Sequence, residues 1–452
     1  MATWGATDER PTAADGEGRA VAKLQALIRI PTVSDRDPER VDTAAFEAFG
    51  RELERQFPLL HTLDRTTVAE HGLLVHWPGA SAERPVVLMA HLDVVPVEGE
   101  WQHPAFGGDV VDGAIWGRGT LDDKGQLVAV CEAVETLLAA GFTPAQDVWL
   151  SFGCTEEVSG SGASDAVAEL TARGVRPWFV LDEGGAVAHQ AFPGVSTPVG
   201  VIGVTEKGVT SLELRAEGRG GHASTPARRG PTARIARAIT RLNASAMPSR
   251  LPEPTVELFR RMAPHAPLPL RALMANAARL APVLARALVA AGPEAAAMTR
   301  TTFAVTTLSG SPALNVVAQT ARAGVNIRVM VGDTVADAVE HVRASVGDEH
   351  VHLDMIEGNE PSPVSPRDEA FELLEATITA VFPDAVPAPY VMMAATDSRF
   401  FTEICERVYR FAPFRMTKAQ REAIHSYDEH LGVEDFLDGI RWYRRLIEGL
   451  PA

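Results

Sequence analysis

The chain has 452 residues, too many for one compact core, so two domains are expected. It carries 59 acidic against 42 basic residues, a formal net charge of −17, and a surface of that sign repels phosphate backbones and anionic lipid. No nucleic-acid or membrane-surface partner is expected. In chain order, Met1 to Gly18 is polar and acidic, with neither a basic start nor an apolar run, so no secretory signal is expected there. Val21, Leu24, Leu27 and Ile28 mark a helix ended by Pro31. Pro85 to Val95 holds the apolar run Val86 to Met89 and reads as a central strand. Gly125 to Ala140 has helical spacing, Val148 to Phe152 is a strand, Ser161 to Arg173 is a helix ended by Gly174, and Trp178 to Leu181 is a short strand. Alternation of this kind predicts a mostly parallel α/β sheet flanked by helices.

The pattern changes near Glu206. Leu212, Leu214 and Ala216 alternate with charged residues as in a half-exposed strand. Thr232 to Leu242 follows as a helix, Thr302 to Leu308 and Ala321 to Val329 as strands, Val335 to Val346 as a helix and Val351 to Ile356 as a strand. This β-α-β-β-α-β order is that of a ferredoxin-like α+β sandwich. An Ala/Leu/Arg-rich helical insert, about 252–300, interrupts it; the charges and prolines of Leu268 to Met298 argue against a membrane span. The expected organisation is a first catalytic part over 1–206, an inserted domain over 207–357 and a second catalytic part over 358–452. Cys131, Cys154 and Cys405 are too few and too widely spaced for a disulfide framework or a thiolate zinc site, and a reducing cytoplasm fits best.

Acidic and imidazole residues fall at the ends of the predicted strands, where open α/β sheets bind ligands. His91 and Asp93 lie two apart on an extended segment, so Asp93 can accept one ring N–H of His91 and leave the other nitrogen for a metal. A core histidine beside a loop carboxylate is the ordinary alternative. Asp122 and Asp123 follow Gly117-Arg118-Gly119 directly before a helix; a carboxylate there could bridge two cations, or Asp123 could be a simple cap. Glu156 and Glu157 repel each other unless a positive charge lies beside them. One could ligate a metal while the other takes a proton from a metal-bound water; a solvated loop pair is the alternative. Asp182-Glu183-Gly184-Gly185 follows another apolar strand and could equally be a loop acid pair. His425 alone reads as a loop histidine. Together, two histidines and several carboxylates suit zinc or a similar divalent ion with N/O ligands.

The set resembles the M20 metallopeptidases. His91-Leu92-Asp93, Gly117-Arg118-Gly119 with Asp122, Glu156-Glu157, Asp182-Glu183-Gly184, Gly221-His222-Ala223-Ser224 and His425 stand in family order over nearly the whole chain. Trp116 to Lys124, Val204-Thr205-Glu206-Lys207-Gly208 and Thr396-Asp397-Ser398-Arg399-Phe400-Phe401 are similar to the carboxypeptidase S branch, which includes N-fatty-acyl amino acid enzymes. The resemblance implies a zinc-peptidase-like fold with an inserted lid and dimerisation domain, and a cofactor of two Zn2+, with Co2+ or Mn2+ as substitutes. It implies that His91, Asp122 and Glu183 hold one ion and Asp122, Glu157 and His425 the other. Asp93 would orient His91, Glu156 would be the general base, and the bond after Asp122 would be cis. His222 would reach a partner's site in a homodimer and stabilise the oxyanion. Asn315 and Arg328 would bind substrate, Arg328 through its fork. The family's usual proline is missing after Asn315-Val316-Val317, where Ala318 and Gln319 stand.

The expected activity is hydrolysis of N-acyl amino acids, with long-chain acyl groups and the reverse synthesis within its range. A Gly-Xaa carboxypeptidase or dipeptidase acting on short peptides is the first rival. A non-catalytic metal-binding protein is a second, disfavoured by the presence of Glu156, and a two-metal phosphoesterase a third, disfavoured by the acidic balance. Leu270, Leu273, Leu280, Val283, Leu284 and Leu288 of the insert could line an acyl pocket or simply pack against the lid.

Overall fold

The computed structural model describes residues 13–191 and 195–452, so residues 1–12 of the segment read as no signal lie outside the described residues. The described residues divide into two compact units, one drawn from residues 13–191, 195–202, 366–387 and 400–452, the other from residues 203–365 and 388–399. The segment 388–399, expected within the catalytic part, clusters with the second unit.

The first unit is built on a ten-stranded sheet. At its centre Ser81–His91 lies between Gln146–Gly153 and Phe179–Asp182, parallel to both. The run Val86 to Met89 is buried on both sheet faces, as expected of a central parallel strand. The strand begins earlier than its apolar run and ends at His91 rather than Val95. The register pairs Leu88 with both Leu150 and Leu181, so the three strands end at similar heights and release their acidic residues on one rim. Asp64–Val68 and Gly72–Trp77 add an antiparallel edge.

The helix Lys124–Ala139 is apolar on nearly every face because it is enclosed on every face. It packs against Ser81–His91, the helix Val433–Glu448 and the helix Ala13–Ile28. Leu127 to Cys131 have no exposed surface, and this rigid seat fixes the helix start, where Asp122 and Asp123 stand. Cys131, Cys154 and Cys405 are buried and none is in a disulfide.

The second unit carries a four-stranded antiparallel sheet, ordered Thr302–Ser309, Thr320–Val329, Gly208–Glu217, Val351–Gly358. One face supplies Leu212, Leu214, Val325 and Ile327 to a core closed by the helices Pro231–Ala244 and Val335–Val346. This is the ferredoxin-like arrangement that the element order implied. The insert folds as short helices, among them Glu253–Met262, Leu268–Ala275 and Ala277–Ala291. Leu284 is buried, whereas Val283 is 55% exposed. Among the described residues no single helix is long and apolar enough to cross a membrane, and the apolar pair Leu268–Ala275 and Ala277–Ala291 is bent by 116°.

Candidate metal centre

Three neighbouring strands and one helix start bring the ligands together. His91 is the last residue of its strand, Glu157 lies in the turn after Gln146–Gly153, and Glu183 directly follows Phe179–Asp182. Asp122 precedes the helix Lys124–Ala139, and the Asp122–Asp123 peptide bond is cis. His425 comes from the turn after the helix Lys418–Ala423, with φ of 58°. His91, Asp122 and Glu183 form one cluster; Asp122, Glu157 and His425 form another; within each, the candidate ligand atoms lie within 4.8 Å of one another. Both clusters use Asp122.

The His91 ring is set by its partners. Its Nδ1 lies 3.0 Å from the Asp93 main-chain oxygen, an acceptor, so Nδ1 bears hydrogen and Nε2 is the nitrogen left to face the cluster, protonated without a cation and free to ligate one. Nε2 lies 3.0 Å from Asp122 Oδ1 and 3.6 Å from Glu183 Oε1. On the other side, His425 Nε2 lies 2.9 Å from Asp122 Oδ2 and 3.0 Å from Glu157 Oε2.

Asp93 does more than the sequence indicated. Its carboxylate is 3.4 Å from His91 Nδ1, farther than its own carbonyl. Its oxygens instead accept the N–H groups of Glu156 and Glu157, at 3.3 and 3.2 Å, and the Ser34 hydroxyl at 2.8 Å. It therefore orients the acidic turn as much as the imidazole. Ser34 was not singled out in the sequence, because nothing local to it signals a partner across the fold. Asp123 occupies the cap position of its helix but makes no side-chain capping bond; its Oδ2 accepts the His91 N–H at 3.2 Å instead.

The donor set fits divalent cations. Burial, together with Asp122, pushes the Glu183 carboxyl well above its ordinary range, and burial with Glu183 does the same to Asp123. Burial works against the charged His91 ring, yet Glu183, Asp122 and Asp93 outweigh it and hold the ring well above its ordinary value. The hydrogen bonds that His425 donates to Asp122 and Glu157 hold its ring up at about 10. Protons thus balance a crowd of carboxylates that two cations would balance equally well. Glu157 Oε1 is buried without a hydrogen-bond partner, a donor atom with nothing to meet among the protein groups. Imidazole and carboxylate without thiolate is a zinc-type set.

Glu156 is half-buried beside Glu157 in the same turn. The remaining site residues stand in the second unit. Gly221–His222 pairs with Val316–Val317, and the Ala223 N–H reaches the Asn315 carbonyl at 3.1 Å, so His222 and Asn315 share one exposed tip. Ser224 N–H donates to His222 Nδ1 at 3.2 Å, which leaves Nε2 as the N–H of a neutral ring. Arg328 lies on Thr320–Val329 and alternates with the core residues Ile327 and Val329, so it belongs to the sheet face away from the helices. Two runs quoted for the carboxypeptidase S likeness also meet: buried Glu206 accepts the Thr396 N–H and hydroxyl at 3.1 and 3.2 Å. Beside them Lys207 donates to the Arg300 carbonyl at 2.9 Å, and burial lowers its ammonium to about 8.

Residues 87–449 match the model of "Peptidase family M20/M25/M40". The probable carboxypeptidase S-like 2 of Dictyostelium discoideum is 34% identical over 94% of this chain and 84% of its own length. The N-fatty-acyl-amino acid synthase/hydrolase PM20D1 of Xenopus tropicalis is 35% identical over 95% of this chain and 85% of its own. In fold, the chain is similar to an M20 family metallo-carboxypeptidase from Sulfolobus solfataricus, with a TM-score of 0.71 at 17% identity over 95% of this chain and 98% of the other. On this evidence the chain belongs to peptidase family M20/M25/M40 and is a metallohydrolase acting on amide bonds.

Proposed function

We propose that this enzyme uses a pair of zinc ions to hydrolyse N-acyl amino acids, long-chain acyl groups included. The observation that carries the reading is the meeting of two three-ligand clusters on Asp122. His91 and Glu183 would complete one site, Glu157 and His425 the other. When bound, the two cations polarise the scissile carbonyl and lower the pKa of the attacking water.

The rest falls to side chains. Glu156 takes the proton from the attacking water and passes it to the leaving amine; its half-buried position beside Glu157, with its N–H tied to Asp93, supports this role. His222 donates Nε2–H to the developing oxyanion in a partner subunit of a homodimer, a role supported by the tautomer that Ser224 imposes. Asn315 and Arg328 bind the substrate, the guanidinium fork facing its free carboxylate. The likeness to an N-fatty-acyl-amino acid synthase/hydrolase favours acyl amino acids. The carboxypeptidase S-like relative keeps a short-peptide carboxypeptidase as the second reading. Three buried cysteines outside any disulfide fit a reducing compartment such as the cytoplasm.

The test is turnover of acetyl, octanoyl and oleoyl amino acids and of unblocked dipeptides, with zinc or cobalt supplied, beside Glu156→Gln. Acyl amino acids should be cleaved in preference to dipeptides. The variant should keep its metal and lose about 10²–10⁴-fold in kcat. Preference for dipeptides transfers the reading to the peptidase; wild-type turnover in the variant overturns the base.

A further inference from the structure

The loop that carries Asp122 and the turn that carries His425 are joined by a buried carboxylate that ligates nothing. Glu429 has no exposed surface. Its Oε2 accepts Arg118 Nη1 at 2.7 Å and the Gly119 N–H at 3.1 Å. Its Oε1 accepts the Leu121 N–H at 2.8 Å and the Asp122 N–H at 3.1 Å. Arg118 then reaches back with Nη2 to the Ser426 carbonyl at 2.6 Å, one residue past His425. An ionised carboxylate offers about four lone-pair sites, and here each is met by a donor of the 118–122 loop.

The backbone alone does not extend this far. His430–Gly432 pairs with Ala114–Trp116, and the Gly117 N–H donates to the Glu429 carbonyl at 2.9 Å. That ladder ends before Arg118. From Arg118 to Asp122 the loop is held to the His425 turn by the Glu429 carboxylate and the Arg118 fork. A pair so deeply buried contributes little net stability compared with apolar residues of the same volume. What it supplies is position.

We propose that Glu429, with Arg118, is the positioning clamp that holds Asp122 and His425 in register as ligands of one metal site. This rests on reading the two clusters as metal sites. The cluster of Asp122, Glu157 and His425 takes two of its three ligands from the clamped segments, whereas the cluster of His91, Asp122 and Glu183 takes one. Loss of the clamp should therefore weaken the two sites unequally. Glutamine at 429 keeps one acceptor oxygen and turns an NH2 toward two donors, so Glu429→Gln breaks the clamp with little change in volume.

The experiment is calorimetric titration with Zn2+ of apo-protein in two single-site backgrounds. Glu183→Ala leaves the cluster with His425 intact, and Glu157→Ala leaves the cluster with His91. Adding Glu429→Gln should weaken Zn2+ binding 10–100-fold in the first background and clearly less in the second, with circular dichroism showing a retained fold. Unchanged affinity, or equal losses in both, overturns the clamp. If Glu429→Gln does not fold, Arg118→Lys serves: it keeps the charge but loses the bond to Ser426, and should give a smaller loss in the first background, no loss being the overturning result. A wild-type protein that binds no Zn2+ would refute the metal reading itself, and the clamp with it.

Discussion

Single residues in this protein act through the atoms they leave to others. Asp93 is the example: its main-chain oxygen sets the His91 tautomer, and its carboxylate holds the turn of Glu156 and Glu157. The spacing of His91 and Asp93 made their contact legible in the sequence, because alternate residues of a strand share a face. The carboxylate's second task was not legible, since the N–H groups it accepts lie more than sixty residues away. Outside the site, Asp435 stands in the first turn of Val433–Glu448, where the helix dipole favours an anion. Burial outweighs that preference, and its carboxyl is pushed up to about 6, with Arg415 opposing. A carboxyl whose folded pKa lies above its unfolded value binds more protons when folded, so its ionisation costs stability as pH rises from about 4 through 6. Asp435→Asn should therefore raise the melting temperature at pH 8 and leave it unchanged near pH 4. A gain of equal size at both pH values would contradict this.

At the scale of elements, strands and helices of the parallel sheet were legible because the apolar periodicity is strong and the turns are marked by glycine and proline. The enclosed helix Lys124–Ala139 owes its place to that pattern, and its first turn shows how tightly the site is fitted. A Cβ on Gly125 would lie 2.1 Å from the Thr120 carbonyl oxygen, on the loop that leads to Asp122. No side chain can yield there, so the backbone must move. Gly125→Ala is expected to cost about 1–3 kcal/mol in denaturant unfolding and to weaken metal binding at both clusters. A variant as stable as wild type would show that this approach is slack. The membership of residues 388–399 in the second unit was not legible, because Thr396 is fixed by Glu206 across the intervening sheet and helices, and such a contact leaves no local pattern.

For the whole molecule, the site couples metal to stability. The clusters gather ligands from separate segments of the first unit, so a cation bound to the folded form and not to the unfolded chain stabilises the fold by mass action. Zinc at a thousandfold excess over its dissociation constant should contribute about 4 kcal/mol, read as a rise in melting temperature reversed by chelator. His425→Ala should retain part of that rise, since the cluster of His91, Asp122 and Glu183 remains whole. No shift with zinc in the wild type would leave the carboxylate crowd without its counter-ion. Many of the chain's acidic residues are matched locally by arginine, as Glu257 is by Arg260 and Glu340 by Arg343.

His91, Asp122, Glu157 and Glu183 all precede the inserted sheet and its helices, whereas His425 follows them. During synthesis on the ribosome, one ligand triad is complete as soon as Glu183 emerges, and the other waits until the whole insertion has been translated. The two triads are thus separated in time as well as in space, and a chain arrested before His425 would hold every residue of the first triad while lacking Glu429 and the helix Val433–Glu448 that seat Asp122.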